Sequence, residues 1–159
     1  LPMRLTKQIN YILKNPDIDV LGTAAEIVHK GKIKKIYPRQ THNEILKNII
    51  IKTPFIHPTV IMKKSFLEKN KFYNEKIGEV EDLDLWLRSC NNSKFHNLDE
   101  VLLTYNFSGQ KMSRIFRSFI LHIKFSIKKF NIIYLFQFFL VLFLVLSDKF
   151  QIRKLSSLK

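Results

Sequence analysis

Apolar positions recur along this chain with two periods, and those periods divide it into elements. Leu5, Ile9, Ile12 and Leu13 fall at i, i+4, i+7 and i+8, one helical stripe that Pro2 can open and Asn15-Pro16 closes. Val20 to Val28 reads as a strand, His29-Lys30-Gly31 as a turn, and Lys32 to Tyr37 as the returning strand. Thr41 and Glu44 make a T-x-x-E capping box before the apolar run Ile45 to Ile51, which predicts a helix. Pro54 and Pro58 bracket Phe55-Ile56-His57 as a constrained loop. Thr59 to Met62 is a short β-prone run, and Ser65 to Lys69 looks like one helical turn before a loop to Gly78. Leu83, Trp86, Leu87 and Cys90 form the apolar stripe of a further helix. Phe95 to Leu98 and Val101 to Phe107 predict two short strands, and from about Met112 to Leu146 the pattern is helical.

Composition narrows the class. Hydrophobic residues make up 46% of 159, enough for one domain with a real core. Only four glycines argue against a turn-rich all-β fold. A single cysteine, Cys90, rules out an intrachain disulfide; on the apolar stripe it reads as an inert buried thiol. No charged segment followed by an apolar run opens the chain, so no signal peptide is expected, and Leu-Pro-Met reads as the middle of a longer sequence. No Cys/His cluster has zinc spacing and no Gly-rich phosphate loop is present.

Charge separates the two ends. Residues 1–109 carry 17 basic and 12 acidic side chains, whereas residues 110–159 carry 10 and 1. The last third is thus both the most basic and the most apolar. Ile115, Phe119, Ile123, Ile127 and Phe130 recur on one helical face, with Arg117, Lys124 and Lys128 on others. Such a basic amphipathic helix suits an anionic bilayer surface, and packing of the same stripe on the chain's own domain is the alternative. Ile132 to Leu146 follows, broken by Gln137 and shorter than the about 20 residues of a spanning helix. An interfacial or re-entrant segment is expected there before a tilted span. A nucleic-acid module sets its cations among polar or aromatic groups, so no nucleic-acid partner is expected.

Against this basic background, Gly78 to Arg88 (GEVEDLDLWLR) gathers Glu79, Glu81, Asp82 and Asp84 around a helix start. Capping and the helix dipole explain acidic residues there. Spacing alone favours that reading; the functional alternative is a general base, because a carboxylate held at a helix start can take a proton from an attacking hydroxyl. Adjacent Glu81 and Asp82 diverge by about 100° on a helix, so one can bond locally while the other projects. Arg88 is expected to pair with Asp84, one turn before it. Asp17-Ile18-Asp19 follows a helix-ending Asn-Pro and reads as turn chemistry.

Several motifs together resemble the second half of the catalytic domain of bacterial family 2 glycosyltransferases. They are His57-Pro58-Thr59-Val60, Lys64-Ser65, Tyr73-Asn74-Glu75 and Glu81-Asp82-Leu83-Asp84-Leu85-Trp86-Leu87-Arg88. The opening LPMRLTKQINYILKNPDIDVLGT also resembles the segment after that family's Asp-x-Asp, so the likeness covers about residues 1–108. The resemblance implies an α/β fold, a partial GT-A (Rossmann-like) glycosyltransferase domain over 1–108; the basic, apolar pattern of 109–159 adds C-terminal helices that are expected to associate with a membrane. It implies transfer of a sugar from a nucleotide-sugar donor to a hydroxyl of a saccharide or lipid-linked saccharide, with inversion, in bacterial surface-polysaccharide synthesis.

Asp82 is implied as catalytic base with Glu81 in support. His57 is a candidate for the acceptor pocket. Trp86 is a candidate platform for a sugar face, although its stripe position favours the core. Arg88 is carried over as a substrate-side residue. A divalent metal, magnesium or manganese, is implied by the family, with its ligands outside this chain, which alone is then expected to be inactive. The chain departs from the family after Tyr105: relatives read Tyr-Arg-x-His, whereas here Tyr105 is followed by Asn106-Phe107-Ser108-Gly109; Gln110, Lys111 and Arg114 are the remaining candidates to reach a diphosphate. The expected location is the cytoplasmic face of the cell membrane. The rival readings are a non-catalytic membrane-surface scaffold and a basic nucleic-acid-binding module.

Overall fold

The computed structural model describes residues 2–50, 52–109 and 111–128. Five α-helices and four strands alternate through it: α1 (Arg4–Lys14), β1 (Val20–His29), β2 (Lys32–Ile36), α2 (His42–Asn48), β3 (Ile61–Met62), α3 (Lys64–Lys69), α4 (Glu81–Ser89), β4 (Phe95–Asn106) and α5 (Met112–Lys128). Single 3₁₀ turns at His57–Thr59 and Glu75–Ile77 fill the loops before β3 and α4. The result is a mixed α/β layer arrangement compatible with a Rossmann-like fold. The expected run at 132–146 lies outside the described residues. Among the described ones no helix is long and apolar enough to cross a membrane.

β1 is the centre of the sheet. Antiparallel β2 pairs with Ala25 to His29, antiparallel β3 with Val20 and Leu21, and β4 runs parallel beside Val20 to Val28. Both faces of β1 are covered, which is why its first six residues are all buried. Val20 belongs to the main core with Ile45, Phe66, Leu85, Trp86 and Phe95. Leu21, on the opposite face, packs with Ile18, Leu98 and Leu102 under α1. The two strands expected at 95–98 and 101–107 are one strand. The register slips where Asp99 and Glu100 bulge out between Leu98 and Val101, and Lys7 of α1 pairs with Glu100 there.

The capping box forms as the sequence predicts: Glu44 N–H donates to Thr41 Oγ1, and Thr41 N–H donates to the Glu44 carboxylate. Helix α1 departs from expectation. Its stripe residues Leu5, Ile9 and Leu13 face outward, Leu13 with 73% of its surface exposed, and the fully buried residue is Gln8. Tyr11 and Ile12 supply the apolar contact to the sheet. The physical reason is a polar anchor. Gln8 Nε2 donates to the carbonyls of Leu21 (3.0 Å) and Thr59 (2.9 Å), and Arg4 reaches both Gln8 Oε1 and Thr59 O (each 3.1 Å). These bonds turn the polar side of the helix inward.

Candidate active site

A cleft of about 590 Å³ opens where β1 and β4 end together. Ile27, Tyr105 and Phe107 line it from those strand ends. The carboxyl edge of a parallel pair is where open α/β sheets usually take ligands, and this volume fits a small-molecule site. Phe55, Ile56, His57 and Pro58 form one wall, Glu79 to Leu83 the acidic wall, and Lys111, Arg114 and Ser118 of the α5 region face them.

Asp82 lies on the acidic wall, its side chain only 9% exposed. Its Oδ1 accepts the Leu83 N–H at 2.8 Å, a local bond at the helix start. Arg114 Nη2 donates to both carboxylate oxygens, at 3.2 and 3.0 Å. Glu81 is half-buried beside it and also lines the cleft. The helix is not capped by a side chain: Val80 occupies the N-cap. Capping therefore accounts for only part of the acidic cluster. Glu79 instead binds α5, accepting from Ser113 Oγ (2.7 Å) and pairing with Lys111 (3.1 Å). Those hydrogen bonds hold its carboxyl below the usual carboxylate range.

His57 is exposed on the rim, in the 3₁₀ turn between the two prolines, and lines the cleft. Trp86 is a core residue with 1% exposure, in edge contact with Phe55 and Phe95. That place agrees with its position on the apolar stripe of α4. Arg88 is on the α4 face away from the cleft lining. Its Nε donates to Asp84 Oδ2 at 2.9 Å, as the i−4 spacing predicts, and its Nη2 donates to the Phe72 carbonyl. These bonds clamp the loop before α4. Cys90 is buried.

That loop delivers a residue to which the sequence assigned no role. Helix α3 ends in a Schellman turn, with Phe72 N–H donating to Leu67 O and Lys71 N–H to Glu68 O. Lys71 and Phe72 both take positive φ, 57° and 54°. The chain then presents the Tyr73 ring edge-on to His57, 6.1 Å between centroids. Burial raises the Tyr73 phenol above its usual range, and the negative charges of Asp82 and Glu81 raise it further. Tyr73 thus sits in the field of the acidic wall. No glycine marks the left-handed turn, so the sequence pattern did not reveal it.

Helix α5 packs on α4 with a face other than the expected stripe. Leu121 and Phe125 reach the main core, with Arg114, Ser118 and buried Ser126 on the same side. Ile115, Phe116 and Ile127 remain exposed. Among the described residues, no three His, Cys, Asp or Glu side chains come together as a metal cage. Asp19, read as a turn residue, accepts the Lys94 N–H at 2.8 Å.

No family model matches the chain. Individual proteins do. Over 118 residues it is 36% identical to the O-antigen biosynthesis glycosyltransferase WbnJ of Escherichia coli, covering 72% of this chain and 46% of the relative. It is 34% identical over 121 residues to an uncharacterized glycosyltransferase of Methanocaldococcus jannaschii, covering 72% and 41%. It is 33% identical over 113 residues to the UDP-Gal:alpha-D-GlcNAc-diphosphoundecaprenol beta-1,3-galactosyltransferase of Escherichia coli, covering 67% and 39%. The chain spans less than half the length of these curated relatives. Each of these relatives is named as a glycosyltransferase or galactosyltransferase.

Proposed function

We propose that this chain is the acceptor-side part of a glycosyltransferase that moves a sugar from a nucleotide-sugar to a hydroxyl of a saccharide or lipid-linked saccharide. One observation carries the reading. A nearly buried carboxylate, Asp82, opens on a cleft at the carboxyl ends of a parallel strand pair, in a stretch 36% identical to an O-antigen glycosyltransferase. In the proposed reaction the acceptor oxygen forms its bond to the anomeric carbon as the bond to the diphosphate breaks. Asp82 receives the hydroxyl proton, and attack opposite the leaving group inverts the centre. Glu81 supports the acidic wall, and His57 on the rim meets the acceptor.

The finer assignments belong to the same proposal. The chain is read as part of a family 2, GT-A domain. A magnesium or manganese ion would stabilise the departing diphosphate. The described residues do not make a cage for it, and no step here is assigned to it. The exposed Ile115, Phe116 and Ile127 beside Lys124 and Lys128 suit contact with an anionic membrane surface, which would bring a lipid-linked acceptor to the cleft from the cytoplasmic side.

The test is Asp82→Asn in the full-length protein. Turnover is expected to fall about 1,000-fold, as loss of a general base does, while donor binding persists. Near-normal turnover would remove Asp82 from the base role.

A further inference from the structure

In the arrangement described an acceptor must compete with Arg114 for Asp82. Both of its oxygens already accept from a single Arg114 nitrogen, and Oδ1 also holds the Leu83 N–H. A hydroxyl that is to pass its proton to this carboxylate meets a guanidinium that occupies part of it and offsets its charge. Arg114 is better placed to leave than Asp82. Its side chain is 38% exposed, against 9% for the carboxylate, and it lines the same cleft.

We propose that Arg114 is a movable counter-charge: it covers Asp82 until a nucleoside-diphosphate group enters the cleft, then transfers to that group and uncovers the base. The exchange rests on the transferase reading above and adds an order to it, donor before acceptor. A diphosphate carries more negative charge than one carboxylate and offers several acceptor oxygens to a guanidinium, so it competes well for Arg114.

The attachment of α5 suits such a movement. Its first turns are held by polar contacts: Lys111 to Glu79 at 3.1 Å, Ser113 to Glu79 at 2.7 Å, and Arg117 Nη1 to the Ile77 carbonyl at 3.0 Å. Water and phosphate can replace exposed contacts of this kind at little cost. The apolar anchors, Leu121 and Phe125, lie two to three turns further on. Gly109, just before the helix, has φ 100°, a conformation that glycine adopts without strain, with open space where a Cβ would stand. Lys111 stands to Glu79 as Arg114 stands to Asp82, so a second cation is released to the same anion.

The experiment is calorimetric titration of the full-length protein with UDP, GDP, CDP and dTDP, each against its monophosphate. Arg114→Gln is expected to weaken the preferred diphosphate about 10-fold or more and to erase its advantage over the monophosphate. Asp82→Asn, which releases Arg114 from its partner, is expected to tighten the same diphosphate several-fold. The double variant should bind like Arg114→Gln alone, the signature of a shared contact. Arg114→Lys, which keeps the charge, should recover part of the affinity and guards against a folding artefact. Unchanged affinity in Asp82→Asn overturns the exchange while leaving the base role to be judged by turnover. A wild type that binds no nucleoside diphosphate overturns the transferase reading and the exchange together.

Discussion

The side-chain amide of Gln8 donates to the carbonyl oxygen of Thr59 at 2.9 Å across 51 residues of chain. This bond ties α1 to the wall of the cleft, because Thr59 closes the turn that carries His57. Thr59 Oγ1 in turn accepts from Thr23 N–H at 3.1 Å and donates to Ile56 O at 2.8 Å. Replacing Gln8 by Leu would take this donor from both carbonyls, while Arg4 still reaches Thr59 O. Gln8→Leu is expected to cost about 1–3 kcal/mol, read from the urea midpoint, the range for a buried polar group that loses its partner. A loss under about 0.5 kcal/mol would mean that water replaces the amide.

Gly22 leaves no room for a side chain. A Cβ there would stand 2.2 Å from Asn97 Oδ1 and 2.8 Å from Phe55 Cδ1. Asn97 itself is fixed, donating to Arg39 O (2.8 Å) and Pro54 O (3.0 Å). Gly22→Ala must therefore push Phe55, which lines the cleft. A destabilisation of about 3 kcal/mol is expected from such overpacking, together with weaker acceptor binding. Wild-type stability in this variant would contradict the close approach.

Lys71 occupies a position that glycine favours. Its φ of 57° sits at the C′ site of the Schellman turn that ends α3. Lys71→Gly is expected to stabilise the protein by about 1 kcal/mol, the cost of left-handed backbone for an L-residue. Arg88→Ala, which removes the clamp on the next carbonyl, should act in the opposite direction. Equilibrium denaturation of both variants tests the pair of signs.

Stability should also depend on acid. Burial lowers His122 to about 4 from an ordinary 6.5, and its Nδ1 finds no hydrogen-bond partner among the described residues. The unfolded chain then binds a proton below about pH 6.5 that the folded one refuses until about pH 4, so stability falls with pH across that window. His42 and His96 are lowered too, chiefly by burial, and act in the same sense. From about pH 7 to about pH 5, His122 should account for about 1–2 kcal/mol of loss. The urea midpoint of His122→Leu should fall less over that range; an equal fall would clear His122 of the effect.

Several local signals were legible, although the left-handed turn at Lys71-Phe72 was not. The Thr41–Glu44 box, the β1–β2 hairpin and the Arg88–Asp84 pair each depend on residues a few positions apart, and each forms. What the sequence hid is tertiary. An apolar stripe predicts which side of α1 is buried only when nothing polar competes, and Gln8 and Arg4 do compete. The break at Asp99-Glu100 looked like a loop because a bulge and a loop share the same polar signature. The cleft gathers Asp82, Glu81 and His57, while Trp86 is in the core and Arg88 holds a loop. The motifs of the resemblance mark all five alike; their tertiary placement separates those that line the cleft from those that do not.

The parallel pairing of β1 with β4 sets the tempo at which this molecule can assemble. β2 follows β1 after a two-residue turn and can zip onto it within microseconds. Val20 must wait for Phe95, about 75 residues later, and closing so long a loop is slow. As the chain leaves the ribosome, the apolar edge of β1 stays open until the last strand emerges. Chaperone demand should peak in that interval, and substitutions in β4 should slow folding more than substitutions in β2 do.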